Sequence, residues 1–197
     1  MTLTDTIVAI STALDEAAIS IVRMSGSEAI DIANKVFSKD LKRAKTFSAH
    51  YGQVVDPSTH KVLDEAIVNV FLAPKTYTCE DIVEINCHGG IVVTKHILTL
   101  LLAQGARMAE PGEFTQRAFL NGRIDLAQAE ATIDMIEAPS VQATEFAAQG
   151  IAGSVKKLIE PLISKMMDVI AHIETNIDYP EYTDIEQLTH EQVLPLS

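Results

Sequence analysis

The sequence contains no tryptophan, few aromatic residues of any kind, at 5%, and only two cysteines. Cys79 and Cys87 stand outside any C-x-x-C spacing, which excludes a zinc ribbon or a dithiol redox motif and fits a reducing cytoplasm. Positive charge is scarce as well: 15 Lys and Arg stand against 27 Asp and Glu, a formal net charge of −12. A surface of that sign repels phosphates, so this segment is excluded as a main docking surface for nucleic acid. No basic run followed by an apolar stretch opens the chain, and the longest nearly uncharged apolar run, around 97–103, is too short to span a bilayer. A soluble, cytoplasmic protein without a signal peptide is the expectation. What is present, 197 residues of which 47% are hydrophobic and 21% charged, suffices for one or two globular domains.

The first half alternates strand-like and helix-like pieces. Thr6 to Ile10 and Ala18 to Met24 are rich in β-branched residues and flank a polar turn at Asp15 and Glu16, so both read as strands. Ser27 is a candidate N-cap for a helix carrying Ile30, Ala33, Val36 and Phe37 on its apolar face, with Glu28 and Asp31 in the anion-favouring first turn. His50 to Val55 and Leu63 to Leu72 flank the turn signal Asp56-Pro57-Ser58 and predict an antiparallel hairpin. Asp81 to Cys87 reads as another strand, followed by Gly89-Gly90 and an apolar helix through Leu102. These glycines predict a tight strand-to-helix connection rather than a phosphate grip, because no further glycine or lysine follows at motif spacing.

Beyond Pro111-Gly112 the period changes. Leu126, Ala129, Ile133 and Ile136, then Ile151, Val155, Leu158, Leu162, Met166, Val169 and Ile173, recur three and four apart and predict helices. Asp125 is placed to cap the first of these, Pro139 to start or bend the next, and Pro161 to kink a helix or to follow a new start at Glu160. The fold class is therefore α+β: a mixed or antiparallel sheet domain over residues 1–117, then an incomplete helical domain over 118–197 whose long apolar face lacks a partner. The polar, acidic stretch 178–197 is read as leading into the remainder of a longer protein.

Three segments carry a family signature in their order and spacing. Asp5-Thr6-Ile7-Val8-Ala9 is followed by Ile19-Ser20-Ile21-Val22-Arg23-Met24-Ser25-Gly26; then comes Tyr77-Thr78-Cys79-Glu80-Asp81-Ile82-Val83-Glu84-Ile85 with Cys87-His88-Gly89-Gly90. The third runs from Pro111-Gly112-Glu113-Phe114-Thr115 through Arg117-Ala118-Phe119-Leu120-Asn121-Gly122-Arg123-Ile124-Asp125-Leu126-Ala127-Gln128-Ala129-Glu130-Ala131. Together they resemble the MnmE (TrmE) family of tRNA-modifying GTPases, and the likeness extends to Ile177-Asp178-Tyr179-Pro180-Glu181. Two departures stand out: Ala13-Leu14-Asp15-Glu16-Ala17-Ala18 replaces the family's glycine-rich turn, and Cys79 stands where the family often has Gly. No G-x-x-x-x-G-K-S/T occurs, so the sequence as given has no phosphate-cradling loop for GTP.

The resemblance implies an N-terminal domain similar to the folate-binding part of aminomethyltransferases, which binds 5-formyltetrahydrofolate or a related one-carbon donor and forms a homodimer. It further implies a helical domain interrupted by a GTPase domain that uses GTP, Mg and K. The whole protein would work with an FAD-dependent partner subunit of the MnmG/GidA type on the wobble uridine of tRNA at C5. Arg23, Glu80 and Arg123 match the family's folate-binding residues. Chemically, Glu80 would accept from the amino-pyrimidinone edge of a pterin, while Arg23 and Arg123 would engage carbonyl, formyl or carboxylate oxygens. Each also has a plain structural reading: Glu80 as a solvated turn carboxylate, Arg23 in a surface ion pair, Arg123 near the last carbonyls of the preceding helix. His88 reads as structural or ligand-adjacent, and Arg117, Asn121 and Asp125 as a polar cluster at the domain junction. No residue is assigned a catalytic or metal-ligating role. A free-standing folate-dependent aminomethyl or formyl transferase, and a ligand-free dimerisation adaptor, are the alternatives.

Overall fold

A computed structural model describes residues 5–178. Six strands form one sheet in the order β3-β4-β5-β2-β1-β6. They are β1 (Ile7–Ile10), β2 (Ala17–Ser25), β3 (Ser48–Val55), β4 (Val62–Phe71), β5 (Ile82–Gly89) and β6 (Arg107–Met108). All neighbours are antiparallel except β1 and β6, so the sheet is mixed and the class is α+β. The β3–β4 hairpin turns at Asp56, whose carboxylate accepts from Ser58 and Thr59, and those hydrogen bonds hold its pKa down to about 2.

Register decides which side chains meet. Val8, Met24, Val83 and Val70 form one cross-strand row, and Val22, Ile85 and Val68 form the next. Both rows are buried in one cluster with Ile32, Ala33 and Val36 of α1 (Ala29–Val36) and Ile97, Leu100 and Leu101 of α2 (Ile91–Ala103). The period of two along each strand then places Arg23, Glu84 and Asn69, and beside them Ile21, Asn86, Ile67 and Tyr51, on the opposite face. Gly89 ends β5 where a Cβ would lie 2.3 Å from the Ala17 carbonyl oxygen, so the close strand approach accounts for the glycine. Gly90 is the N-cap of α2, the connection that the glycine pair predicts.

Helix α1 is capped at Glu28 rather than at Ser27, without a side-chain bond; Ala29 and Ile32 are buried in place of Ile30, and Phe37 already has extended backbone. The polar signal lies close by, but the Gly26 carbonyl and the side chain of Thr6 take the first helical N–H groups instead. The short parallel strand β6 has no period of its own to read. Helix α3 (Glu113–Leu120) follows, and the contacts keep it with the sheet: one compact unit runs to Ile124 and a second begins at Asp125. The boundary thus lies later in the chain than the residue 117 that the sequence pattern predicts.

In the second unit, α4 (Leu126–Glu137) opens on a capping box in which Asp125 accepts from the Gln128 backbone and the Gln128 side chain reaches back. Helix α5 (Val141–Ile151) starts just after Pro139, capped by Ser140. Gly150 lets α4 and α5 cross closely, since a Cβ there would lie 2.6 Å from that of Ala131. Helix α6 (Ser154–Asp178) runs through Pro161 as one helix. Of the two expectations for Pro161, a kink or a new start at Glu160, the new start is absent, and the proline removes one N–H donor from an exposed stretch of helix. Among the described residues no helix is long and apolar enough to cross a membrane. The stretch 179–197, with Tyr179-Pro180-Glu181, lies outside the described residues.

Candidate functional site

A cavity of about 550 Å³ opens on the sheet face away from α1 and α2. Its floor is made by the strands: Arg23 from β2, Glu84 and Ile82 from β5, and Phe71 from the end of β4. The loop between β4 and β5 adds Pro74, Lys75, Thr76, Tyr77 and Cys79, the loop before β3 adds Phe47, and the turn after α3 adds Arg123. That volume is in the range that takes a drug-sized organic molecule.

The alternation along paired strands brings Arg23 and Glu84 directly opposite each other. Arg23 donates from Nε to Glu84 Oε1 at 2.8 Å, its Nη2 lies 2.7 Å from the same oxygen, and its guanidinium sits 5.8 Å from the Phe114 ring centre. Arg123 lies 5.1 Å from the centre of the Tyr77 ring and donates to the Tyr77 carbonyl at 3.4 Å. Tyr77 is itself tethered through its hydroxyl to Thr115 at 3.0 Å. Phe47 and Phe71 meet edge to face at 5.8 Å and form an aromatic wall.

Two of the three described non-glycine residues with positive φ lie at the same place, the third being His60 in the β3–β4 turn. Phe47 and Cys79 hold left-handed conformations, with φ of 58° and 60°, and both line the cavity. Such conformations cost side-chain-bearing residues about 1–3 kcal/mol each and concentrate at functional sites.

Arg23 and Arg123, far apart in sequence, are thus brought to one cavity. Glu80 is not among its walls. Its carboxylate accepts from Ser25 Oγ at 2.6 Å and from Arg117 Nη1 at 3.1 and 3.2 Å, and its side chain is 15% exposed. Arg117, 2% exposed, also donates to Asp5 Oδ1 at 2.6 Å, to the Asp5 carbonyl at 2.8 Å and to Glu113 Oε1 at 3.1 Å. Arg107 completes the cluster by donating to Glu113 at 2.6 Å and to Asp5. The hydrogen bond from Arg107 outweighs burial and brings the Glu113 carboxyl down to about 2; the same arginine lowers Asp5. Burial opposes the charge of Arg117, yet its bonds to Asp5 and Glu113 raise its pKa on balance.

Arg117, Asn121 and Asp125 each have a separate structural role, Asp125 as the expected cap. Arg117 turns inward to the carboxylates, Asn121 donates to the Thr78 carbonyl at 2.6 Å, and Asp125 caps α4. His88 is 73% exposed, with Nδ1 2.6 Å from Asp64 Oδ1, and lies outside the cavity wall. The sequence reading passed over Phe47, Phe71, Lys75 and Glu84 as wall residues; only the strand alternation that places Glu84 opposite Arg23 was there to find.

The family model described as GTP-binding protein TrmE N-terminus matches residues 6–123, and the MnmE helical domain matches residues 126–196. The chain belongs to the MnmE/TrmE family. It is similar to the tRNA modification GTPase MnmE of Bacillus cytotoxicus, 54% identical over 187 residues that cover 94% of this chain and 41% of that protein. Against the protein of the same name from Lactobacillus acidophilus identity is 55% over 190 residues, covering 96% and 41%. Against that from Enterococcus faecalis it is 54% over 193 residues, covering 96% and 42%. The chain spans about two fifths of the length of these curated relatives. The division between the two matched family segments falls at the same place as the division between the two compact units.

Proposed function

We propose that this chain is the part of a tRNA-modifying GTPase that binds a tetrahydrofolate one-carbon donor, such as 5-formyltetrahydrofolate, and that joins two copies into a homodimer. The whole protein, with GTP, Mg and K in a GTPase domain and an FAD-dependent MnmG/GidA-type partner, would modify the wobble uridine of tRNA at C5 in the cytoplasm. Within that reading no side chain of this segment is catalytic.

The observation that carries the folate reading is the meeting of Arg23 and Arg123 at one aromatic-walled cavity. A reduced folate has a flat ring system and an anionic tail, and this cavity offers rings to stack on and guanidinium groups to pair with oxygens. Phe47, Phe71 and Tyr77 take the flat surfaces, while Arg23 and Arg123 take carbonyl, formyl or carboxylate oxygens. Glu80 stands next to the Cys79 wall, oriented by Ser25 and Arg117. A carboxylate has about four acceptor positions, so Glu80 has acceptor capacity beyond these bonds, and it would meet a pterin amino group only by turning from Ser25 and Arg117 toward the cavity.

Thermal unfolding with and without 5-formyltetrahydrofolate tests this. A ligand at about a hundred times its dissociation constant stabilises the native state by about 2.7 kcal/mol. The expected result is an upward shift of the sheet unit's transition that disappears in the Arg23→Ala/Arg123→Ala double variant. No shift in the unaltered chain, or an undiminished shift in the double variant, removes the proposal.

A further inference from the structure

We propose that the cavity discriminates by the number of carboxylates in the ligand's tail, preferring oligo-γ-glutamyl folates to the monoglutamate, and that Lys75 is the residue that reads the added carboxylates. The inference rests on the folate reading above and extends it to the substrate class.

The charge of the cavity runs against that of the chain. A protein with net charge −12 lines this one space with three cations, Arg23, Lys75 and Arg123, and one carboxylate, Glu84. Arg23 is neutralised by Glu84 on the floor. Lys75 and Arg123 have no carboxylate within ion-pair distance among the described residues, so two positive charges are left for a ligand.

These two also stand in a different place from the floor pair. Arg23 and Glu84 are partly covered, whereas Lys75 and Arg123 are exposed and mark the rim. A space of about 550 Å³ holds the ring systems and leaves an extended tail to run out over that rim. Arg123 is fixed by stacking on Tyr77 and by its bond to the Tyr77 carbonyl, which suits it to one defined carboxylate. Lys75 carries a point charge on a flexible stem, with no ion-pair partner among the described residues to hold it, and so follows successive carboxylates of a chain that lacks one fixed conformation. Each added γ-linked glutamate brings one more negative charge past this ammonium.

The test is a pair of dissociation constants, for 5-formyltetrahydrofolate and for its triglutamate, measured calorimetrically on the full chain at low salt and again at about 0.5 M salt. The triglutamate is expected to bind about fivefold tighter at low salt, with the advantage gone at high salt, as for exposed ion pairs. Lys75→Met should weaken binding of the triglutamate more than that of the monoglutamate and so erase the advantage, Lys75→Glu should invert it, and Lys75→Arg should keep it. Lys75 is exposed, so these variants leave the core untouched. Equal binding of the two lengths by the unaltered chain, or an advantage that survives both Lys75→Met and Lys75→Glu, overturns the inference and leaves the folate reading standing. No binding of either compound overturns both.

Discussion

Ile85 on β5 and Leu162 on α6 are both large aliphatic residues on the apolar side of a regular element, yet the first is fully buried and the second is 52% exposed. The contrast holds across the two units. In the sheet unit the alternating rows of β1, β2, β4 and β5 close against α1 and α2, and even an arginine is taken inside where three carboxylates meet it. In the helical unit the described buried apolar residues are Ala131 and Ala147, while Ile133, Phe146, Leu158, Met166 and Ile173 stay exposed. Periodicity states which side chains favour burial, and only a partner element removes them from water. A sheet with two helices across one face supplies that partner, and three helices along one chain leave much of their apolar stripe uncovered.

The largest effect expected from this difference comes from Arg117→Met. It removes the cation shared by Asp5, Glu80 and Glu113, and breaking a buried ion cluster on one side costs about 3–5 kcal/mol. Urea titration should show the sheet unit's midpoint falling sharply while the far-ultraviolet helical signal of α4 to α6 is retained. A loss below about 1 kcal/mol would mean that the carboxylates are comfortable without their cation.

Next come paired truncations that compare the units directly. Ile85→Ala opens a cavity in the core and should cost about 2–5 kcal/mol, whereas Leu162→Ala should change stability by about 0.5 kcal/mol or less. Comparable losses at the two positions would show that the helical stripe is covered in solution.

The smallest effect near neutral pH belongs to acid. Glu113 is held down to about 2, and Asp5 is lowered too, so their contribution is complete above the ordinary carboxylate range and is lost as pH falls through the depressed values. Stability of the sheet unit should therefore decline from about pH 4.5 toward about pH 2, and Glu113→Gln should flatten that slope. A steeper acid loss in the helical signal of α4 to α6 than in the sheet unit would contradict the assignment to Glu113 and Asp5.

Much of the architecture was legible because its signals are local. The Asp56 turn, the β-branched runs of β1 and β2, and the Asp125 cap each act through neighbours a few residues away. Ser27 misled for the converse reason: Thr6, just ahead of the first strand and far from Ser27 in sequence, takes the N–H of Glu28, the residue that caps α1. In the site, Arg23 and Arg123 were found through the family resemblance. Phe47, Lys75 and Glu84 were not, because nothing in their own stretches marks them as walls of a common space.

The sequence by itself determined the α+β class, the family, the change of period beyond Pro111-Gly112 and the net negative charge, all of which depend on residue type and spacing along the chain. Tertiary structure alone decided that Arg117 is swallowed by three carboxylates, that Glu80 turns toward it, and that a cation-rich cavity forms in an acidic protein. The physical reason is distance: strand register and loop packing bring together groups that lie more than a hundred residues apart, as Asp5 and Arg117 do, and no periodicity records such meetings.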